Sequence, residues 1–271
     1  MKDSKKYLIS SIILVIIAIV YTLLVKFVDV ASIGPEATKV GFQTLNGYIR
    51  DIFPYNDLFY KVSKYAGFIP LAFALLYGGI GFLSLIKTKS LKKIDNKLFI
   101  LAGFYVVVLV VYILFEKVVI NYRPFIIDVK EGLEASYPST HTLLAICFCG
   151  SSLLISKYFI KKDLLRNLIN IGTWLLMVFI VVTRVISGVH WASDIIGGII
   201  ISLALLNIFY MAVLITDEPK EKEKKERRST KKAAKKEKKL EKKEAKEAKK
   251  ANKKSRKEKN KEYEEFIEEN K

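Results

Sequence analysis

Cysteine and histidine are scarce in this 271-residue chain, with two of each. Cys147 and Cys149 lie inside one apolar run, so no disulfide framework can be read and a disulfide-stapled secreted module is excluded. Two apart on a helix, they read as small apolar packing residues. No histidine or carboxylate cluster stands at metal-ligand spacing. The 14 glycines and 6 prolines are too few for a collagenous fibre. Residues 217–271 hold almost nothing apolar beyond Leu240, Phe266 and Ile267. What is present divides sharply by position. The chain is 51% hydrophobic yet carries a net charge of +18, and 24 of its 45 Lys+Arg and 15 of its 27 Asp+Glu follow residue 216. The part before residue 217 is too oily for a soluble globular domain.

A hydrocarbon core about 30 Å thick takes roughly 20 apolar residues in a helix. Six stretches approach that length: 7–28, 66–86, 98–115, 141–160, 167–187 and 191–215. The fourth is the weakest, interrupted by Ser151, Ser152, Ser156 and Lys157. The first reads as a retained membrane helix, because its apolar run exceeds the 7–15 residues of a signal peptide and no clean cleavage site follows. The expected fold is therefore all-α, a polytopic bundle of six transmembrane helices with a Lys-rich tail.

Basic loops set the expected orientation. Lys2, Lys5 and Lys6, the five lysines of 87–97, Lys157 to Arg166, and the tail all fall on one side, read as cytoplasmic. Connections 29–65, 116–140 and 188–190 then face outward, the first with an amphipathic helix on the surface. The tail, 217–271, reads as solvated and disordered or partly helical. Its basic residues suit anionic lipid headgroups. It lacks the aromatics interleaved with basic residues that stack nucleic-acid bases, so no specific nucleic acid is expected.

Three polar clusters stand at outward helix ends, where charge is costly and marks function. One is Glu116-Lys117 with Asn121-Tyr122-Arg123-Pro124. The second is Tyr137-Pro138-Ser139-Thr140-His141. The third runs from Thr183-Arg184 through His190 to Asp194. Four residues apart on one helical face, Asp194 can accept a bond from one ring nitrogen of His190, leaving the other as nucleophile or base. Arg123, Arg184 and Lys117 outnumber nearby carboxylates, as an oxyanion with several oxygens requires. Ser139 and the amides entering the fourth span can donate to the same anion. His141 remains as proton donor to a leaving oxygen. Charge gathered at one face, not at the midplane, disfavours a transporter.

These residues resemble the type 2 phosphatidic acid phosphatase family, integral-membrane lipid phosphatases related to vanadium haloperoxidases and glucose-6-phosphatase. Of the family's motifs, S-R-x5-H-x3-D is matched in spacing by Arg184, His190 and Asp194, with Thr183 in place of Ser. P-S-G-H reads Pro138-Ser139-Thr140-His141. K-x6-R-P ends in Arg123-Pro124, with Glu116 at the lysine position and Lys117 next to it. The resemblance covers roughly 65–215. It implies a phosphatase that acts on lipid phosphate; with the six spans this gives a membrane phosphatase domain over 1–216, its site on the extracytoplasmic face by the loop charges, and the Lys-rich loops fit a bacterial plasma membrane. It further implies His190 as the phosphohistidine nucleophile, oriented by Asp194, and His141 as the acid. Arg123, Arg184, Ser139 and the Thr140 amide, with Lys117, would hold phosphate. No metal or cofactor is implied. The same intermediate serves phosphotransfer, and a degenerate scaffold working through its basic tail is the reading from another class.

Overall fold

The computed structural model describes residues 2–217, together with Thr230 and Lys242; the expectations for the rest of the tail lie outside the described residues. Six helical segments are long and apolar enough to cross a membrane: Lys6–Phe27, Asp57–Thr88, Asn96–Lys117, Thr140–Phe159, Asp163–Ile186 and Ala192–Asp217. They belong to eight helices among the described residues: α1 (Lys2–Phe27), α2 (Gln43–Ile52), α3 (Asp57–Ala66), α4 (Leu71–Thr88), α5 (Asn96–Lys117), α6 (Thr140–Phe159), α7 (Asp163–Ile186) and α8 (Ala192–Asp217). The chain is an all-α, multi-pass membrane protein.

The bundle is apolar on its outside. Ile9, Ile12, Ile13, Ile16 and Val20 of α1, Val106, Val110 and Leu114 of α5, and Leu168, Ile171 and Leu175 of α7 all point outward and exposed. In water such a belt would drive aggregation; against lipid tails it is the solvated surface.

The weakest-looking span proves to be the centre. In α6, 67% of the apolar window is buried, against 11–33% in the other five. It packs on α4, α5 and α7. A helix surrounded by protein needs complementarity more than hydropathy, and its serines find partners. Ser151 Oγ lies 3.2 Å from the Tyr105 hydroxyl, and Ser152 Oγ 3.1 Å from that of Tyr77. Phe148 stacks on Tyr105 with ring centroids 4.2 Å apart. Cys147 and Cys149 are unpaired and fully buried in the same helix.

Between α1 and α4 lie two helices where one was expected. α2 is anchored by Asn46, wholly buried, whose Nδ2 donates to the Gly41 carbonyl at 2.7 Å and whose Oδ1 accepts from the Ser193 amide at 3.0 Å. α3 begins at an Asn56 cap, Oδ1 accepting from the Phe59 amide at 3.1 Å, and packs along α7.

Candidate active site

The α7–α8 connection is a tight turn that sets down His190. Gly188 takes φ +67, and a Cβ there would stand 2.7 Å from the backbone of Phe53 and Pro54. Only glycine meets both demands. The following Trp191 is fully buried, its Nε1 donating to the Tyr122 carbonyl at 2.7 Å.

The α5–α6 connection doubles back over that turn. Asp128 and Gly132 (φ +68) close its bend. The Arg123 amide donates to the Glu134 carbonyl at 3.0 Å and the Ser136 amide to the Asn121 carbonyl at 2.9 Å. Arg123 and Ser136 are thereby delivered to the start of α8.

His190 is 6% exposed and held at both nitrogens. Nδ1 lies 3.0 Å from Ser136 Oγ and 3.1 Å from the Ser136 carbonyl; Nε2 lies 3.1 Å from Arg184 Nη2. A guanidinium only donates and a carbonyl only accepts. The proton is therefore on Nδ1, and Nε2 presents a lone pair. Burial first, then the positive charges of Arg184, Arg123 and His141, hold the imidazole well below the usual histidine range, so the neutral ring is the resting form.

Asp194 does not meet His190 directly. Its Oδ2 stands 3.9 Å from Nδ1, beyond hydrogen-bond reach. Oδ2 instead accepts from Ser136 Oγ and, at 3.0 Å, from the Trp191 amide, while Oδ1 accepts from Asn121 Nδ2 at 3.1 Å. The expected pairing on one helical face is corrected for a physical reason: His190 precedes α8 instead of lying on it, and Asp194 caps that helix.

Arg184 is fully buried, with Nη1 donating to Ser63 Oγ at 3.1 Å and its guanidinium 5.8 Å from the Tyr60 ring. Both partners come from α3. Arg123 Nη2 pairs with Glu134 Oε2 at 3.1 Å. The Nε atoms of Arg123 and Arg184 and Nδ1 of His141 are buried without a hydrogen-bond partner. The two unmet guanidinium Nε–H donors in one neighbourhood suit an anion.

A polar, open cavity of about 570 Å³ lies here, lined by Arg123, Thr140, His141, Tyr112 and the carboxylates Glu116, Glu131 and Glu134. His190 and Arg184 are not in its lining. Ser139 is fully buried at the start of α6, its amide committed to the Asp194 carbonyl at 3.0 Å and its Oγ accepting from Thr142 Oγ1 at 3.1 Å. Ser139 is thus built into the α6–α8 joint. Lys117 is exposed at the end of α5 and outside the lining, whereas Glu116, one position earlier, is within it. One residue turns a helix by about 100°, which separates the two side chains. Sequence reasoning missed Ser63, Tyr60, Glu134 and Ser136 as site contacts. Asn121 alone carried a signal, by standing in a polar cluster at a helix end.

A helical bundle whose buried histidine, two arginines and capped carboxylate meet where four spans end defines a polytopic membrane protein equipped to handle an anion. Residues 96–216, which carry the histidines, the two arginines and Asp194, match the family model of the PAP2 superfamily. No curated protein sequence matches the chain. Among solved structures, the chain is similar to the crystal structure of the first transmembrane PAP2 type phosphatidylglycerolphosphate phosphatase from Bacillus subtilis. The two share 20% identity over 77% of this chain and 96% of that one, with a TM-score of 0.47.

Proposed function

We propose that this chain is a membrane phosphatase that removes phosphate from a lipid phosphomonoester or diphosphate through a phosphohistidine, at the extracytoplasmic face. The observation that carries the reading is His190, neutral, with an unprotonated Nε2 beside a buried guanidinium. The PAP2 match supports a phosphatase acting in a membrane.

The chemistry follows from the residues. Arriving phosphate draws Arg184 from Nε2 onto its oxygens and meets Arg123 and the Thr140 amide. Nε2 attacks phosphorus, the bond to the leaving alkoxide or phosphate breaks, and His141 gives that oxygen a proton. Water then attacks phosphorus, His141 takes its proton, the Nε2–P bond breaks and inorganic phosphate departs. Charge neutralisation and positioning supply most of the rate in such transfers.

An apolar crevice of about 310 Å³ between α1, α5 and α8 favours a lipid ester over a water-soluble one. Phe115 lines it and also the small gap that holds Ser136 and Thr140, so a tail in the bilayer reaches toward the headgroup cavity. Polyprenyl diphosphate, phosphatidic acid and phosphatidylglycerol phosphate all fit this description. The Lys-rich connections support a reading with the termini in the cytoplasm and the site outside.

The deciding experiment measures phosphate release from those three lipids by detergent-purified protein, with and without EDTA, beside His190→Ala. Release that survives EDTA and vanishes in the variant is expected. Full activity in His190→Ala would overturn the nucleophile.

A further inference from the structure

We propose that Ser136 is a positioning residue of this site, which carries the link from Asp194 to His190 and fixes the imidazole with its proton on Nδ1. The inference rests on the phosphohistidine reading and adds to it a residue outside the three motifs.

At 3.9 Å the carboxylate is too far from Nδ1 to bond it; Ser136 Oγ touches both groups, and the Ser136 carbonyl also reaches Nδ1. A serine hydroxyl has one proton to give. As a carboxylate oxygen, Asp194 Oδ2 accepts from the Trp191 amide and from Ser136 Oγ, so the hydroxyl proton goes to it. Toward Nδ1 the hydroxyl oxygen is then an acceptor, as the carbonyl oxygen always is. Two acceptors converge on one ring nitrogen, which must hold a proton, and the chain reads Nδ1–H, then Oγ–H, then Oδ2.

When Nε2 bonds phosphorus and the P–O bond to the leaving group breaks, the ring gains positive charge and keeps its Nδ1 proton. Ser136 Oγ, polarised by Asp194, faces that charge. When water displaces the histidine, the ring returns to neutral and the chain is unchanged. The relay is fixed from several sides. Ser136 is 2% exposed, its amide donates to the Asn121 carbonyl at 2.9 Å, and Asn121 in turn holds Oδ1 of Asp194. The Trp191 amide fixes Oδ2 from the other side. A hydroxyl that merely filled space would have no effect on the ring's tautomer.

With two histidines in the chain, selective ¹⁵N-histidine labelling gives a spectrum that His141→Gln assigns. The wild type is expected to show His190 protonated at Nδ1, in a strong hydrogen bond. Ser136→Ala is expected to weaken that signature and to lower kcat on the order of tenfold with KM within about twofold. Ser136→Cys, which keeps most of the volume, gives the same reading should the alanine variant not fold. Asp194→Asn is expected to shift the Nδ1 signal and kcat in the wild-type background and to do far less in Ser136→Ala, since the two act as one unit.

An unchanged Nδ1 signal and kcat in Ser136→Ala, or effects of the two substitutions that simply add, would overturn the relay. The spectra decide it even without turnover. Wild-type protein inert on every lipid would overturn the phosphatase reading while leaving the tautomer result standing.

Discussion

At the scale of single residues, the site is set by which charges are answered and which are not. His190 has its positive neighbours on the Nε2 side and its acceptors on the Nδ1 side. Protonating it would place a third cation beside Arg184 and Arg123. The ring is therefore expected to remain neutral on acidification past the point where a solvent-exposed histidine takes up its proton, and ¹⁵N shifts of the labelled protein would show it. The sign for stability follows. Below about pH 6.5 the unfolded chain takes up a proton at this position and the native state does not. The stabilisation present above that pH is lost progressively on acidification until the folded ring titrates. Glu134 competes for one of these charges. It pairs with Arg123 at 3.1 Å, and an incoming phosphate must compete with that carboxylate. Glu134→Gln is expected to lower KM severalfold with kcat little changed. A raised KM would mean that the ion pair aligns Arg123 instead of occupying it.

At the scale of elements, the connections do the positioning and the spans act as posts. α3, amphipathic and easily taken for a surface decoration, provides Ser63 and Tyr60 for Arg184. The doubled-back α5–α6 connection provides Arg123, Glu134 and Ser136. The α7–α8 turn depends on Gly188, whose positive φ and contact with the backbone of Phe53 and Pro54 leave no room for a methyl group. Gly188→Ala is expected to cost about 1–3 kcal/mol through strain and to displace His190. The prediction is a lower thermal midpoint in detergent together with loss of turnover. An alanine variant with wild-type turnover would show that the turn tolerates a shift that His190 does not feel. Gly197 is similarly constrained, since a Cβ there would reach 2.3 Å from the Tyr137 ring, which keeps the start of α8 against the entry to α6.

At the scale of the whole molecule, the apolar belt and the polar end are one arrangement. The belt places the spans in lipid, and the ends of α5 and α7 with the starts of α6 and α8 then come together at the interface, where a phosphate headgroup sits. The residues named in this geometry all precede the basic tail in sequence. Deleting 217–271 is expected to leave phosphate release in detergent unchanged, measured on the lipid that the full chain hydrolyses best. A loss there would assign the tail a role in the reaction instead of at the membrane surface.

The number and approximate limits of the spans were legible in the sequence, because apolar runs near 20 residues have one physical use. The motif residues Arg123, His141, Arg184, His190 and Asp194 were legible too, since charge at helix ends in an oily chain stands out. Residues that touch through space were not. Ser136 stands 54 positions from His190 and Ser63 121 from Arg184, and an ordinary serine in a loop gives no periodic or compositional signal. Nor could spacing alone decide that His190 and Asp194 do not pair directly, or that Glu116 and not Lys117 faces the cavity. Both outcomes depend on where α8 begins and how α5 is rotated, which packing against neighbouring helices sets. The sequence by itself determined the solvent, the bundle and the cast of charged residues; the tertiary structure decided who holds whom, because hydrogen bonds are fixed by ångström distances that linear spacing does not encode.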